Sequence, residues 1–208
     1  MGITRIHILS EWGNNNERVQ MSRDLEHSAD SIYYEIFNEM GMQLDEGLEI
    51  IECTEDEAES RYDIKEGIDC ILNFTNGHRA TVQEKLLDAP FNTVTFTECQ
   101  KNGNPGNWYT CTAQYWLTAY ARNYHNDPTD LSWRNWMLVD FPVLKRLDAT
   151  VDLPWVIKDN NNPKYRGIKF RYLQFEDVPK VAVVGRYKGL KPYWFMSDKI
   201  AQEGMWVD

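Results

Sequence analysis

Apolar residues recur along this chain with two different periods, which together predict both helices and strands. Between residues 22 and 40, the apolar side chains from Ile32 to Met40 lie three and four residues apart, as on one face of a helix, and Gly41 is a stop signal. Shorter runs rich in β-branched and aromatic residues predict strands at 48–54, 68–74, 79–87, 93–99, 137–144, 168–175 and 180–187.

Three further features set the expected arrangement of these elements. Asn76-Gly77 lies between two predicted strands and is a strong signal for a β-hairpin. Residues 108–124 lack Pro and Gly, and Trp116 and Tyr120 belong to a four-residue repeat, so we expect a buried helix there. We expect the first ~20 residues to form a loose arm or an edge strand. This order indicates an α+β or α/β fold with a mixed central sheet flanked by helices.

The composition favours one packed domain over residues 1–208. Aromatic residues make up 13% of the 208 residues, which is typical of a chain with a packed core. The chain contains no apolar stretch long enough for a transmembrane helix, and its first residues do not resemble a secretory signal. Its four cysteines form no CxxC pair, which argues against a zinc ribbon. We therefore expect buried thiols in a reducing cytoplasm.

Charge is divided unevenly between the two halves of the chain. Residues 1–104 carry 8 basic and 21 acidic side chains, a net charge of −13, whereas residues 105–208 carry 14 basic and 11 acidic side chains, a net charge of +3. The total of −10 argues against a protein that coats nucleic acid without specificity, so any such contact is expected to be local. A solvated acidic face explains the same division without any partner.

The residues that carry candidate chemistry lie in and beside the predicted hairpin. Asp69 begins one strand, and Gln83 and Lys85 lie on the other. Because side chains alternate along a strand, Gln83 and Lys85 share a face while Glu84 points to the opposite one. A carboxylate and an amide oxygen are ligands for Mg²⁺, and an ammonium group can orient water or stabilise charge on phosphate. This set suits hydrolysis of a phosphodiester.

Asp69 followed by Gln83-Glu84-Lys85 resembles the motif of the PD-(D/E)XK nuclease superfamily, whose members share a restriction-endonuclease-like fold. The resemblance covers about residues 23–144 and implies a metal-dependent deoxyribonuclease of the phage or junction-resolvase type. Residues 145–208 would then be a C-terminal extension of the same domain. Ile68 replaces the Pro of the nominal motif, and Gln83 replaces the usual acid, which removes one negative charge from the implied metal site.

The resemblance implies Mg²⁺ as cofactor, with Mn²⁺ as a substitute. In such nucleases a helix before the sheet supplies a further acid, and Asp30, which lies 11 residues before Gly41, fits that position. Asp30, Asp69 and Gln83 would then hold the metal, and Asp69, Gln83 and Lys85 would form the catalytic set. Supporting candidates are Glu26, Glu35, Glu66, Glu84 and, on the expected helix, Gln114. Each of these acids also has an ordinary role on a solvated helix, strand or loop.

The C-terminal third interleaves basic and aromatic residues. From Lys145 to Lys191 there are 11 Lys and Arg against 5 Asp and Glu. Cations can follow phosphates and aromatic rings can stack on unpaired bases, so this segment is a candidate DNA interface. The aromatic candidates are Trp155, Tyr165, Tyr172, Tyr187, Tyr193 and Trp194. The basic candidates are Lys164, Arg166, Lys169, Arg171, Arg186 and Lys188. A strand-rich core with a mixed solvated face gives the same composition.

Three functions compete on this evidence. The first is a Mg²⁺-dependent deoxyribonuclease, for which a homodimer would be one way to cut both strands. The second is a DNA-binding protein on the same fold, in which Gln83 marks an inactive site. The third is a phage structural or interaction protein without catalytic activity. The sequence contains no P-loop and no dinucleotide-binding fingerprint, so a nucleotide cofactor is not expected.

Overall fold

A computed structural model describes residues 1–8, 17–53, 67–160, 166–188 and 191–194. Helices are α1 (Glu17–Glu39), α2 (Asn107–Thr110) and α3 (Phe141–Asp148), and short 3-10 turns lie at Phe175–Asp177 and Lys180–Ala182. The strands are β1 (Ile3–Ile8), β2 (Leu48–Cys53), β3 (Cys70–Asn73), β4 (Arg79–Leu87), β5 (Thr93–Cys99), β6 (Tyr115–Ala121), β7 (Trp133–Asp140), β8 (Val156–Asp159), β9 (Lys169–Gln174), β10 (Val183–Lys188) and β11 (Lys191–Trp194).

Within the described residues, eight strands form one mixed sheet and three form a second, smaller sheet. The large sheet has the order β11-β10-β7-β6-β4-β3-β1-β2, with β1 parallel to β2 and β4 parallel to β6. The small sheet is antiparallel and has the order β5-β9-β8. The chain is therefore an α+β protein built around a mixed sheet, as the sequence predicts.

Helix α1 covers one face of the large sheet, which we call the helix face. Its apolar stripe, which includes Ile32, Tyr33 and Ile36, packs in one core with Val82 of β4 and Leu117 of β6. The helix ends where expected, because the backbone turns back at Gly41 with φ at +73°, a conformation that glycine adopts without steric cost. Both the predicted helix and its predicted end are confirmed.

The opposite face of the large sheet is covered by the small sheet and by α3, which together enclose a second core. Phe96 of β5 stacks on Phe141 at the start of α3, and their ring centroids are 5.3 Å apart. Trp108 and Trp116 contact the same Phe96 ring at centroid distances of 4.9 and 4.6 Å. The expectation of helices on both faces is thus only partly met, since a three-stranded sheet provides much of the second cover.

The predicted helix over 108–124 is wrong. Only Asn107–Thr110 is helical, and Tyr115–Ala121 forms the central strand β6. Every residue of β6 is buried, because β6 lies between β4 and β7 and has a core on each side. A strand buried on both faces shows no alternation of apolar and polar residues, and its continuous apolar run can be mistaken for a buried helix.

Two other expectations need correction. The first residues form β1, which lies inside the sheet between β2 and β3 and is neither a loose arm nor an edge strand. The predicted strand at 137–144 ends at Asp140, whose side chain caps α3 by accepting a hydrogen bond from the Val143 backbone N–H. The predicted strand at 93–99 is confirmed as β5, which pairs with β9 in the small sheet. The predicted hairpin and the strands at 48–54, 168–175 and 180–187 are confirmed, with slightly shorter bounds.

A buried arginine joins three elements on the helix face. The Arg5 side chain on β1 is only 3% exposed, and its guanidinium contacts Asp30 on α1 at 2.6 Å and Glu84 on β4 at 2.9 Å. The same group donates to the backbone oxygen of Glu26, and the Tyr33 hydroxyl donates to Glu84 Oε1. Burial alone would lower the pKa of Arg5, but the charges of Glu84 and Asp30 raise it above its usual value. The guanidinium therefore stays charged and fixes the position of α1 against the sheet.

We predict that Arg5→Met destabilises the fold by about 3–5 kcal/mol, because it leaves two buried carboxylates without their cation. Chemical denaturation measures this change in the free energy of unfolding. Arg79→Met is the matched control, since Arg79 begins β4 on the surface, and it should change stability by less than about 0.5 kcal/mol. Equal effects of the two substitutions would contradict a structural role for the buried arginine.

Candidate functional site

The hairpin of β3 and β4 positions the first two candidate residues. Its turn is closed by a hydrogen bond of 2.9 Å from the Phe74 backbone N–H to the His78 oxygen, and Gly77 adopts φ at +86°. The register places Cys70 opposite Val82, and the Asp69 backbone N–H donates to the Val82 oxygen. One step further along each strand, Asp69 therefore lies beside Gln83.

Asp69 and Gln83 are in direct contact on the opposite face of the large sheet. Gln83 Nε2 donates to Asp69 Oδ2, and the Glu84 backbone N–H donates to the same oxygen at 2.6 Å. Side chains of β4 that point to the helix face include Val82 and Glu84, whereas Gln83 and Lys85 point away from it. The alternation expected from the sequence is thus confirmed in the structure.

Lys85 lies two residues beyond Gln83 on the same face. It pairs in register with Thr118 of β6, and its Nζ lies 5.1 Å from the centroid of the Phe170 ring on β9. Burial lowers the pKa of Lys85 to about 8. A lysine with this pKa carries a substantial neutral fraction near physiological pH, so its amine can accept a proton there.

A second lysine lies beside Cys111 on the same side of the fold. Lys145 Nζ of α3 donates to the Cys111 backbone oxygen at 2.9 Å and lies over the Phe141 ring at 4.3 Å from its centroid. Burial raises the pKa of the Cys111 thiol to about 11, the Asp69 charge acts in the same direction, and the Lys145 charge acts against it. Burial lowers the pKa of Lys145. Asp69 and Lys145 therefore both lie near Cys111.

Sequence reasoning missed Lys145 because residues 137–144 were interpreted as one strand. A signal for the correct boundary is present in Asp140-Phe141-Pro142, since Asp is a favoured helix cap and Pro is favoured in the first helical turn. A helix starting at Phe141 brings Lys145 to the same side of the fold as Cys111.

Gln114 lies at the same end of β4 as Gln83, although not on a helix. It immediately precedes β6, its backbone N–H donates to Thr81 Oγ1, and its Oε1 accepts from the Thr81 backbone N–H at 3.2 Å. Thr81, Gln83 and Lys85 are two residues apart along β4, so their side chains lie on the same face of this strand. Gln114 is thus held near the candidate site by hydrogen bonds to Thr81, and not by a position on a helix as expected.

The structure does not bring Asp30 to this site, which corrects the expected metal set. Asp30 lies on the helix face, where it pairs with Arg5, and burial raises the pKa of its carboxyl although Arg5 acts against this shift. Glu26 also lies on the helix face, and its Oε2 is 2.7 Å from His7 Nε2. The large sheet separates both carboxylates from Asp69 and Gln83. The predicted place of Asp30 in the metal set is therefore wrong, because its side chain lies on the other face of the sheet.

The other supporting acids also lie elsewhere. Glu35 is exposed on α1, away from the sheet. Glu84 is bound to Arg5 on the helix face, so it does not join Asp69. Glu66 lies outside the described residues, as does the acidic segment at 55–66.

The expected DNA-contacting cations are divided between surface and core. Arg171 is buried, stacks between Trp108 and Trp155 at 4.5 and 4.4 Å, and pairs with Glu98 and Asp148, so it is not available to bind DNA. Arg166 and Lys169 are exposed near the β8–β9 connection, and Arg186 is partly buried on β10. Lys164 and the side chain of Lys188 lie outside the described residues.

The donor set at Asp69 is compatible with a hard divalent cation. In the part of the chain that the structure describes, no three His, Cys, Asp or Glu side chains converge on one metal position. Mg²⁺ in phosphate chemistry is commonly held by one or two carboxylates together with water and substrate oxygens. Asp69 supplies one carboxylate, and a turn of the Gln83 amide about its last torsion exchanges its nitrogen for its oxygen. Asp69 and Gln83 therefore fit such a cation.

Comparison with protein-family models, curated proteins and solved structures finds no match to this chain. Among the described helices, none combines the length and apolar character needed to cross a bilayer.

We predict that Gly67→Ala destabilises the fold more than Gly77→Ala. Both glycines have positive φ, at +61° and +86°, so an alanine at either position has a similar backbone strain. A Cβ on Gly67 would lie 2.8 Å from Gln83 Oε1 and 3.2 Å from Cys111, whereas a Cβ on Gly77 would meet nothing within 4 Å. Urea denaturation should show an additional loss of about 1 kcal/mol or more for Gly67→Ala. Equal losses of stability would mean that Gln83 and Cys111 do not crowd a Cβ at position 67.

Proposed function

We propose that this protein is a Mg²⁺-dependent nuclease that hydrolyses phosphodiester bonds of DNA in a reducing cytoplasm. The observation that carries the proposal is that Asp69, Gln83 and Lys85 share one face of the β3–β4 hairpin, with Gln83 bonded to Asp69 and the pKa of Lys85 lowered to about 8. The resemblance to the PD-(D/E)XK superfamily supports it over the hairpin. The strand β6 in place of a helix, and Asp30 on the other face of the sheet, depart from that pattern.

Each side chain of the set has a distinct role in the proposed reaction. Asp69 and Gln83 would hold one Mg²⁺, which supplies Lewis-acid stabilisation of the phosphate when bound. Lys85 takes the proton from the attacking water, because its neutral amine is populated near pH 8. Lys145, which like Asp69 lies near Cys111, adds positive charge to this side of the fold and would balance the charge of an incoming phosphate.

The protonation of Lys85 also sets the expected pH dependence of this step. A lysine accepts a proton only in its neutral form, and that form increases as pH rises through the pKa. Since burial lowers this pKa to about 8, half of the amine is neutral at that pH, and the active fraction levels off only above it. An unperturbed lysine, with a pKa of about 10.4, would be almost fully charged over the same range.

A second candidate is a DNA-binding protein that uses this face without cleaving. The observation in its favour is that Asp69 Oδ2 already accepts two hydrogen bonds, from Gln83 Nε2 and from the Glu84 backbone N–H. A carboxylate engaged in this way gives up protein hydrogen bonds when it binds a metal, and an amide at position 83 adds no negative charge to compensate. Binding to DNA without cleavage in Mg²⁺ or Mn²⁺ would favour this candidate.

We predict that the wild-type chain cleaves DNA in Mg²⁺ or Mn²⁺ and that Lys85→Ala lowers the rate by about 100-fold or more. Asp69→Ala should have at least as large an effect, because it removes the one carboxylate of the set. The assay follows single-stranded, duplex and branched DNA on denaturing gels.

Two surface substitutions serve as controls for charge and folding. Lys101 and Asp152 are exposed and distant from the hairpin in sequence, so Lys101→Ala and Asp152→Ala should cleave as the wild type does. Cleavage by Lys85→Ala and Asp69→Ala at the wild-type rate would exclude this site. Absence of cleavage by the folded wild type would exclude the nuclease.

A further inference from the structure

The small sheet presents a cleft whose chemistry differs from that of the hairpin site. The cleft has a volume of about 720 Å³ and is walled by one face of β5, β8 and β9 together with the segment before β5. Phe170 and Tyr172 project into it from β9, and Thr93 and Thr95 line it from β5. Its volume is within the range of sites that hold small organic groups.

We propose that this cleft binds unpaired nucleotides of a single-stranded DNA, with a base stacked on Tyr172 and its phosphate held by Lys158. This inference rests on the proposed function, because it takes DNA as the substrate, and it names the form of DNA that the site accepts. Arg171, Trp155 and Tyr187, which the sequence also offered for DNA contacts, are engaged in packing elsewhere.

The spacing of the two rings supports stacking. Phe170 and Tyr172 are two residues apart on one strand, so they project from the same face about 6–7 Å apart along it. Both rings are partly exposed, and aromatic side chains at such positions on a sheet can be platforms for successive bases. The faces of bases are covered by their neighbours in a duplex and are accessible in a single strand, so the platform selects unpaired nucleotides.

Charge at the cleft fits a polyanion. Lys158 Nζ lies 5.7 Å from the centroid of the Tyr172 ring, and Lys85 Nζ lies 5.1 Å from that of Phe170. Each ring therefore has an ammonium group over its face, and a base that stacks on the ring would take that place while its phosphate pairs with the ammonium. Lys158 and Asp159 line the cleft, and Lys85 beside it makes the local balance positive at a pH below its pKa of about 8.

The cleft adjoins the candidate catalytic face of β4, and this position suggests what the cleft does. Lys85 belongs to the Asp69–Gln83 face of β4 and at the same time contacts Phe170 in the cleft. A single-stranded DNA whose bases stack on Tyr172 and Phe170 would therefore lie close to the Lys85 amine that accepts the proton in the proposed hydrolysis. The cleft would act as a positioning site for the substrate and would not itself react.

The test is a fluorescence anisotropy titration of the full chain with a fluorescein-labelled oligothymidylate of about 12 nucleotides, a length within the range of single-strand sites. EDTA in the buffer prevents metal-dependent cleavage, so the titration measures binding alone. Tyr172→Ala should weaken binding at least about tenfold, and Tyr172→Phe should retain most of it, because stacking needs the ring and not the hydroxyl. A duplex of equal length should bind more weakly than the single strand.

Two further variants separate stacking and charge from a general loss of structure. Ile157 is 53% exposed on the opposite face of β8, so Ile157→Ala is the matched control and should bind as the wild type does. Lys158→Gln should reduce the slope of log binding constant against log salt by about one, as expected for one lost phosphate contact. A defect in folding alone would not change that slope.

The outcomes distinguish this inference from the proposed function. Binding through Tyr172 without cleavage in Mg²⁺ or Mn²⁺ would support the cleft and exclude the nuclease. Cleavage with wild-type binding by Tyr172→Ala would support the nuclease and overturn the cleft. Equal affinity for single strand and duplex would also overturn it, since a stacking platform requires unpaired bases.

Discussion

The arrangement of this fold depends on the need to neutralise one buried guanidinium. Arg5 lies on an inner strand of the large sheet with its side chain only 3% exposed, so its charge must be met by Asp30 from α1 and Glu84 from β4. These contacts tie three segments that are far apart in sequence, and they fix which face of β4 turns toward the helix. Once Glu84 is committed to the helix face, Gln83 and Lys85 must point the other way.

As a result, the charged side chains that stabilise the fold and those proposed for catalysis lie on opposite faces of β4. On the helix face, the carboxylates are bound to a cation and enclosed by the core around Tyr33. On the opposite face, Asp69 meets Gln83, and Lys85 and Lys145 lie in partly buried surroundings that lower the pKa of each lysine. The small sheet then covers this face incompletely and leaves a cleft beside Lys85. The proposed nuclease and its single-stranded substrate both follow from this incomplete cover.

Sequence signals predicted those elements that are determined by residues within or next to the element itself. Helix α1 and its end at Gly41, and the hairpin at Asn76-Gly77, carry periodicity and turn residues that do not depend on distant parts of the chain. The strand β6 could not be recognised in this way, because its burial on both sides comes from β4 and β7. The face of the sheet on which Asp30 lies could not be predicted either, because its partner Arg5 belongs to a segment that we expect from the sequence to be a loose arm or an edge strand.

The proposed metal site lies at Asp69 on one face of the sheet, and Asp30 on the other face is expected to take no part in it. Calorimetric titration of Mn²⁺ into the wild type, Asp69→Asn and Asp30→Asn tests this placement directly. Both substitutions are nearly isosteric, and thermal unfolding shows whether each variant is folded. We expect Asp69→Asn to lose Mn²⁺ binding and Asp30→Asn to bind as the wild type does. Loss of binding in a folded Asp30→Asn, with Asp69→Asn unaffected, would contradict this placement.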